Sequence, residues 1–161
     1  MQQHQHHHAH HAGPAPSRNR VAFQATLHCL SGCAVGEVLG MVLGTALALS
    51  NGTTVALSIV LAFLFGYAFT MTPLLRAGLA PRQAMRLALA ADTASIAAME
   101  VVDNLVMLVI PGAMAATLAS GLFWASLALS LVLAGAAAFP INRWLIGRGQ
   151  GHAVVHAHHQ H

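Results

Sequence analysis

Lysine is absent from this chain of 161 residues, and charge of either sign is scarce, with seven arginines, four acids and a charged fraction of 7%. An ordinary soluble domain carries about 25% charged residues and needs them to cover its surface. A soluble globular enzyme is therefore excluded, and a hydrophobic fraction of 57% excludes a chain that is disordered throughout. The two cysteines are too few for a disulfide scaffold. No basic run or stripe accompanies the computed pI of about 9.7, and scattered arginines do not make a nucleic-acid surface. No HExxH, Walker loop, nucleophile elbow or Glu-x-x-His pair occurs, so the chain is not read as an enzyme. No secretory leader is expected, because the start is histidine-rich and polar and the apolar stretch after it is too long.

What the sequence does have is four long apolar segments between two polar ends. They run about 26–50, 54–75, 82–110 and 122–146. At 1.5 Å per residue, about 20 residues cross a 30 Å hydrocarbon core, and helices satisfy their backbone groups within the segment. The expected fold is an all-α integral membrane four-helix bundle at 21–148, with disordered tails at 1–20 and 149–161. The tails hold all but one of the twelve histidines, six at the start and five at the end. Their interruption by Gln and Ala, at both ends, argues against an engineered tag. Asn51-Gly52 and Pro111-Gly112 mark turns, Gly78 a helix cap and Pro81 a helix start, while 113–120 reads equally as loop, short helix or helix entry.

Arginine placement orients the bundle. Arg18 and Arg20 precede the first helix, Arg76, Arg82 and Arg86 surround the second link, and Arg143 and Arg148 close the fourth helix, whereas the other two links carry no charge. With four spans all seven fall on one side, which the positive-inside rule makes cytoplasmic, both termini included. Trp124 and Trp144, about 30 Å apart along one helix, suit the two interfacial belts.

Two helices carry polar groups that lipid does not tolerate. The first has Gly32, Gly36, Gly40 and Gly44 as a small-xxx-small packing stripe, serving within the bundle or in a homo-oligomer. On its flank stand Cys29, Cys33 and Glu37, within about 80° of the helix surface, with His28 beside them. Thiols on adjacent turns are ligands for Cu(I) or Zn(II), or else small hydrophobes. Glu37 near mid-membrane costs about 3 kcal/mol if ionised, so it reads as functional or as a protonated, hydrogen-bonded group. The third helix carries Asp92, Ser95, Met99 and Asp103 within about 80°, bordered by Glu100, Asn104 and Met107. Its three carboxylates need protons, water or a cation. If these helices face each other, Cys29 and Asp92 lie in the cytoplasmic third, Glu37 and Met99 near the middle, and Asp103 and Met107 toward the outer third.

The segments HCLSGCAVGEVLG from His28, FGYAFTMTPLL from Phe65, DTASIAAMEVVDN from Asp92, PGAM from Pro111 and FPINRWLIGRGQGHAVVH from Phe139 together resemble bacterial membrane proteins carrying the domain of unknown function 4396. The resemblance runs from about Phe23 to His156. It implies a four-helix membrane domain of the bacterial inner membrane and supplies no activity.

Three functional readings follow. The first is a multi-pass protein that binds or moves a transition-metal cation, copper before zinc, through His28, Cys29, Cys33, Glu37, Asp92, Met99, Glu100 and Asp103, with the tails buffering metal. The second is an accessory subunit that packs on another membrane protein through the glycine stripe. The third is a proton-coupled transporter of a small solute.

Overall fold

The structure, a computed structural model, describes residues 17–148. The histidine-rich tails, and the buffering role expected of them, lie outside the described residues. Four long helices make up the fold, α1 (Arg18–Ala46), α2 (Asn51–Arg76), α3 (Pro81–Val109) and α4 (Gly121–Gly147), with a short 3-10 helix at Ala113–Ala115. Among the described residues there is no strand.

Three boundaries differ from the sequence reading, each because a capping group overrides hydropathy. Helix α1 begins at Arg18, so Arg18–Arg20 belong to the helix rather than to a tail. Ser17 accepts from the Arg20 amide at 3.4 Å, and Val21, Ala22 and Ala25 are buried. The helix ends at Ala46 instead of Ser50. Asn51-Gly52 is not the turn but the first turn of α2, because Ser50 is its N-cap and accepts from the Thr53 amide at 3.3 Å. The reversal falls on Ala48 at φ 50°, with the Leu49 amide bonded back to the Gly44 carbonyl at 2.9 Å. The same six-to-one bond closes α2, from Leu79 to Leu74 at 3.2 Å, around Gly78 at φ 86°. Alanine thus holds at residue 48 a conformation that glycine holds at 78. Ala48→Gly is expected to raise stability by about 1 kcal/mol, read as the denaturation midpoint in detergent, and a lowered midpoint would show that the left-handed residue carries no strain.

The helices run up and down. Gly32, Gly36, Gly40 and Gly44 stand against Gly66, Ala62, Ser58 and Thr54, descending numbers that make α1 and α2 antiparallel. The stripe is an internal packing surface, and no side chain fits between the two backbones at Gly32 or Gly36. Asn142 of α4 donates to the Thr26 hydroxyl of α1 at 3.0 Å, and Tyr67 of α2 meets Thr93 of α3 at 2.9 Å. Cys29 and Cys33 of α1 lie beside Asp92 and Met99 of α3, so these two helices are parallel. All seven arginines consequently gather at one end of the bundle. Trp124 and Trp144 are exposed near opposite ends of α4. Trp124 donates its indole N–H to the Leu118 carbonyl at 2.8 Å, and the Arg148 guanidinium lies 4.0 Å from the Trp144 ring centre.

Helices α1, α2 and α4 are long and apolar enough to cross a membrane. With 29 residues α3 is as long as α1, but its acids lower its apolarity. They all face inward, whereas Leu89, Val101, Leu105, Leu108 and Val109 are exposed on its outer face. A polar interior with an apolar exterior is the reverse of a soluble bundle and suits a lipid surround.

Candidate functional site

The polar residues of α1 and α3 form a seam through the middle of the bundle. Successive positions along α1 advance by one helical turn, and the same turns of α3 run beside them, so the two sets meet pairwise. At the arginine end the Cys29 thiol donates to Asp92 Oδ1 at 3.7 Å and lies 3.5 Å from the Ser95 hydroxyl. Thr70 of α2 also stands beside Asp92. One turn on, the Cys33 thiol reaches the Met99 sulfur at 4.0 Å, with Glu100 next to it. A further turn on, Glu37 lies beside Asp103 and Glu100. Glu37 is therefore level with Asp103, one turn beyond the Met99 level expected from the sequence. The seam spans about 12 Å along α1, from Cys29 to Glu37.

The seam is close-packed at its lower end, the one that bears the arginines. Cys29, Cys33 and Met99 are each 1% exposed, and Asp92 and Ser95 are fully buried. Both cysteines are free thiols. Glu100 is 5% exposed, and no hydrogen bond reaches either of its carboxylate oxygens. Neither oxygen of Glu37 has a hydrogen-bond partner, nor has Oδ1 of Asp103. The groups beside these carboxylates are one another and a thiol, not a cation. Three neighbouring acids of this kind call for a proton or a bound cation among them.

His28 takes a different position from the rest. Its ring stands edge-on to Phe69 of α2, with centroids 5.9 Å apart, and hydrogen-bonds to the Phe69 backbone. Pro73, four residues after Phe69 in α2, has no N–H to give that carbonyl, so the imidazole satisfies a group that the helix leaves open.

At the arginine-free end the seam opens into a cavity of about 190 Å³. Glu37, Glu100 and Asp103 form its floor, and Met41, Met107 and Met114 are among its lining residues. The sequence reading missed Met41 and Met114. Met41 is one turn beyond Glu37 on the same face, a signal that was there to be read. Met114 sits in the stretch 113–120, where the 3-10 helix and the residues after it, through Thr117, line the cavity.

Among the described residues, no three or more His, Cys, Asp or Glu side chains are grouped so as to hold a metal ion. The eight expected ligands are thus strung along the bundle rather than gathered at one point. Donors spaced in this way suit a cation that moves, or one held by mixed sulfur and oxygen ligands.

No curated protein and no solved structure matches the chain. One family's sequence pattern does, over residues 18–151, and the match takes in the whole bundle and every residue of the seam. The chain belongs to the family defined by the domain of unknown function DUF4396.

Proposed function

We propose that this protein binds or moves a transition-metal cation, with Cu(I) as the cargo, along the seam between α1 and α3. In this reading it is a non-catalytic, four-span protein of the bacterial inner membrane. Both termini are cytoplasmic, and the histidine-rich tails buffer metal there. The observation that carries the reading is the stacked series Cys29–Asp92, Cys33–Met99 and Glu37–Glu100–Asp103, in which soft sulfur donors give way to carboxylates along one line. A thiol must lose its proton to bind Cu(I). Asp92 Oδ1 already accepts from the Cys29 S–H, so the proton passes to that carboxylate as the thiolate–metal bond forms.

Replacement of both Cys29 and Cys33 by serine tests this in the full chain. Losing the thiolate pair is expected to weaken Cu(I) affinity, measured against a competing chelator, by more than about 100-fold, beyond the usual cost of losing a mere supporting group. Glu37→Gln is expected to keep binding and slow transfer into proteoliposomes. An unchanged affinity in the double serine variant overturns the reading.

The accessory-subunit alternative has less to rest on, because the glycine stripe it would use is already in contact with α2. The size of the cavity favours a second reading, proton-coupled movement of a small solute with Glu37, Asp92, Glu100 and Asp103 as proton sites. That reading predicts no effect of the cysteines on metal.

A further inference from the structure

The lining of the cavity draws on three separate elements. Met41 comes from α1, Met107 from α3 and Met114 from the 3-10 helix, so three of the chain's seven methionines converge on one space. Chance packing of a flexible apolar side chain would use them as filler in a closed core. Here they border about 190 Å³ of open space and are half-buried. An apolar cavity of about 150 Å³ takes a benzene ring, so there is room for three unbranched thioethers to swing inward around a single ion.

We propose that Met41, Met107 and Met114 form a second soft-metal site, at the arginine-free end of the bundle, that takes Cu(I) through thioether sulfur. The proposal rests on the reading that the cargo is a soft cation, but it does not need the cysteines. Thioethers are poor donors for Zn(II) or Mg(II) and good ones for Cu(I). They are also neutral, so an ion held by sulfur alone would leave an uncompensated positive charge in a low-dielectric site. The floor of the cavity supplies the missing charge. Glu100 is 95% buried, borders the cavity and has no hydrogen bond to either oxygen, and Asp103 and Glu37 stand with it. A carboxylate cluster alone would suit many cations, whereas carboxylates beneath three thioethers select a soft monovalent one. The two sites differ in chemistry as well as in place. The thiols of Cys29 and Cys33 must shed protons to bind, whereas the thioethers have none and only the carboxylate floor gives one up as the ion enters.

That difference sets the test. Full-length protein in detergent is titrated calorimetrically with Ag(I), a redox-inert stand-in for Cu(I), at pH 5, where imidazoles of ordinary pKa, about 6.5, are protonated and compete weakly. Wild type and Cys29→Ser/Cys33→Ser are each expected to retain one bound ion. The triple variant Met41→Leu/Met107→Leu/Met114→Leu is expected to lose it, with affinity lowered by about tenfold or more. Methionine-to-leucine changes conserve volume and are well tolerated in packed interiors, and helical circular dichroism checks that the fold survives. Met114→Leu alone, outside the long helices, is expected to give a partial loss and serves if the triple variant does not fold. X-ray absorption is expected to show sulfur neighbours that persist in the serine variant and vanish in the leucine variant. Wild-type binding by the triple leucine variant overturns the proposal, as does the absence of any sulfur-bound ion from the wild type at both pH 5 and pH 7. Loss in the serine variant alone also overturns it while leaving the thiol seam in place. Loss in the leucine variant alone, with Cu(I) affinity at neutral pH untouched by the serine changes, upholds the cavity site and removes the seam reading.

Discussion

Gly36→Leu is expected to abolish the native bundle, while Val60→Ala, on the lipid-facing side of α2, leaves it intact. A β-carbon at Gly36 would run into the Ala62 backbone nitrogen and come within 2.7 Å of the Leu61 carbonyl carbon. Those atoms belong to a helix and cannot step aside, so α1 and α2 must separate. Without a hydrophobic force between helices in lipid, this close approach is the main source of their attraction, and separating them forfeits it. Overpacking a core costs about 1–3 kcal/mol when side chains can shift, and a backbone clash is expected to exceed about 3 kcal/mol. Val60 is 63% exposed, so trimming it is expected to change stability by no more than about 0.5 kcal/mol. The stripe should also be graded. At Gly44 an added β-carbon meets the side chain of Thr54 rather than backbone. A threonine can rotate, so Gly44→Ala is expected to cost less than Gly36→Ala. Denaturation midpoints in detergent rank all four variants, and equal midpoints for Gly36→Leu and Val60→Ala would show that the close approach contributes nothing.

The same stripe shows how much of the site was legible in the sequence. Glycines at 32, 36, 40 and 44 and the line Cys29, Cys33, Glu37 are each spaced by four, and they lie about 100° apart around one helix. Two separate faces imply two separate neighbours, and the structure supplies them, α2 against the glycines and α3 against the thiols. The matching polar face of α3 was visible for the same reason. The alignment of the two helices was less so, because depth inferred from span midpoints is uncertain by about one turn, and Glu37 pairs with Asp103 instead of Met99. The ends of α1 were misjudged because hydropathy reports lipid exposure and the helix ends where caps form, at Ser17 and Leu47. The methionine-lined cavity was the least legible feature. Its members come from three elements, and nothing local in the stretch 113–120 shows that it lines one cavity with the acids of α1 and α3.

Two carboxylates of α3 are expected to respond oppositely to the same substitution. Glu100→Leu should raise the denaturation midpoint, by about 1–2 kcal/mol in stability, and abolish cation binding by the upper seam. The wild-type carboxylate is buried without a hydrogen bond to either oxygen and sits among other acids. It therefore opposes folding, and leucine removes that opposition while adding apolar contact with the wall of the cavity. Asp92→Leu should instead lower stability by about 1–3 kcal/mol. Asp92 is fully buried too, but Cys29 donates to it and Thr70 stands against it. Leucine would take away the acceptor of the Cys29 thiol and force a longer side chain into a filled space. A group retained at a cost to stability is retained for what it does, whereas a group with partners can be kept for structure alone. Paired measurements of midpoint and Cu(I) affinity on both variants separate the two cases. If Glu100→Leu destabilises the bundle as Asp92→Leu does, the upper carboxylates are structural, and the floor of the cavity is not a cation site.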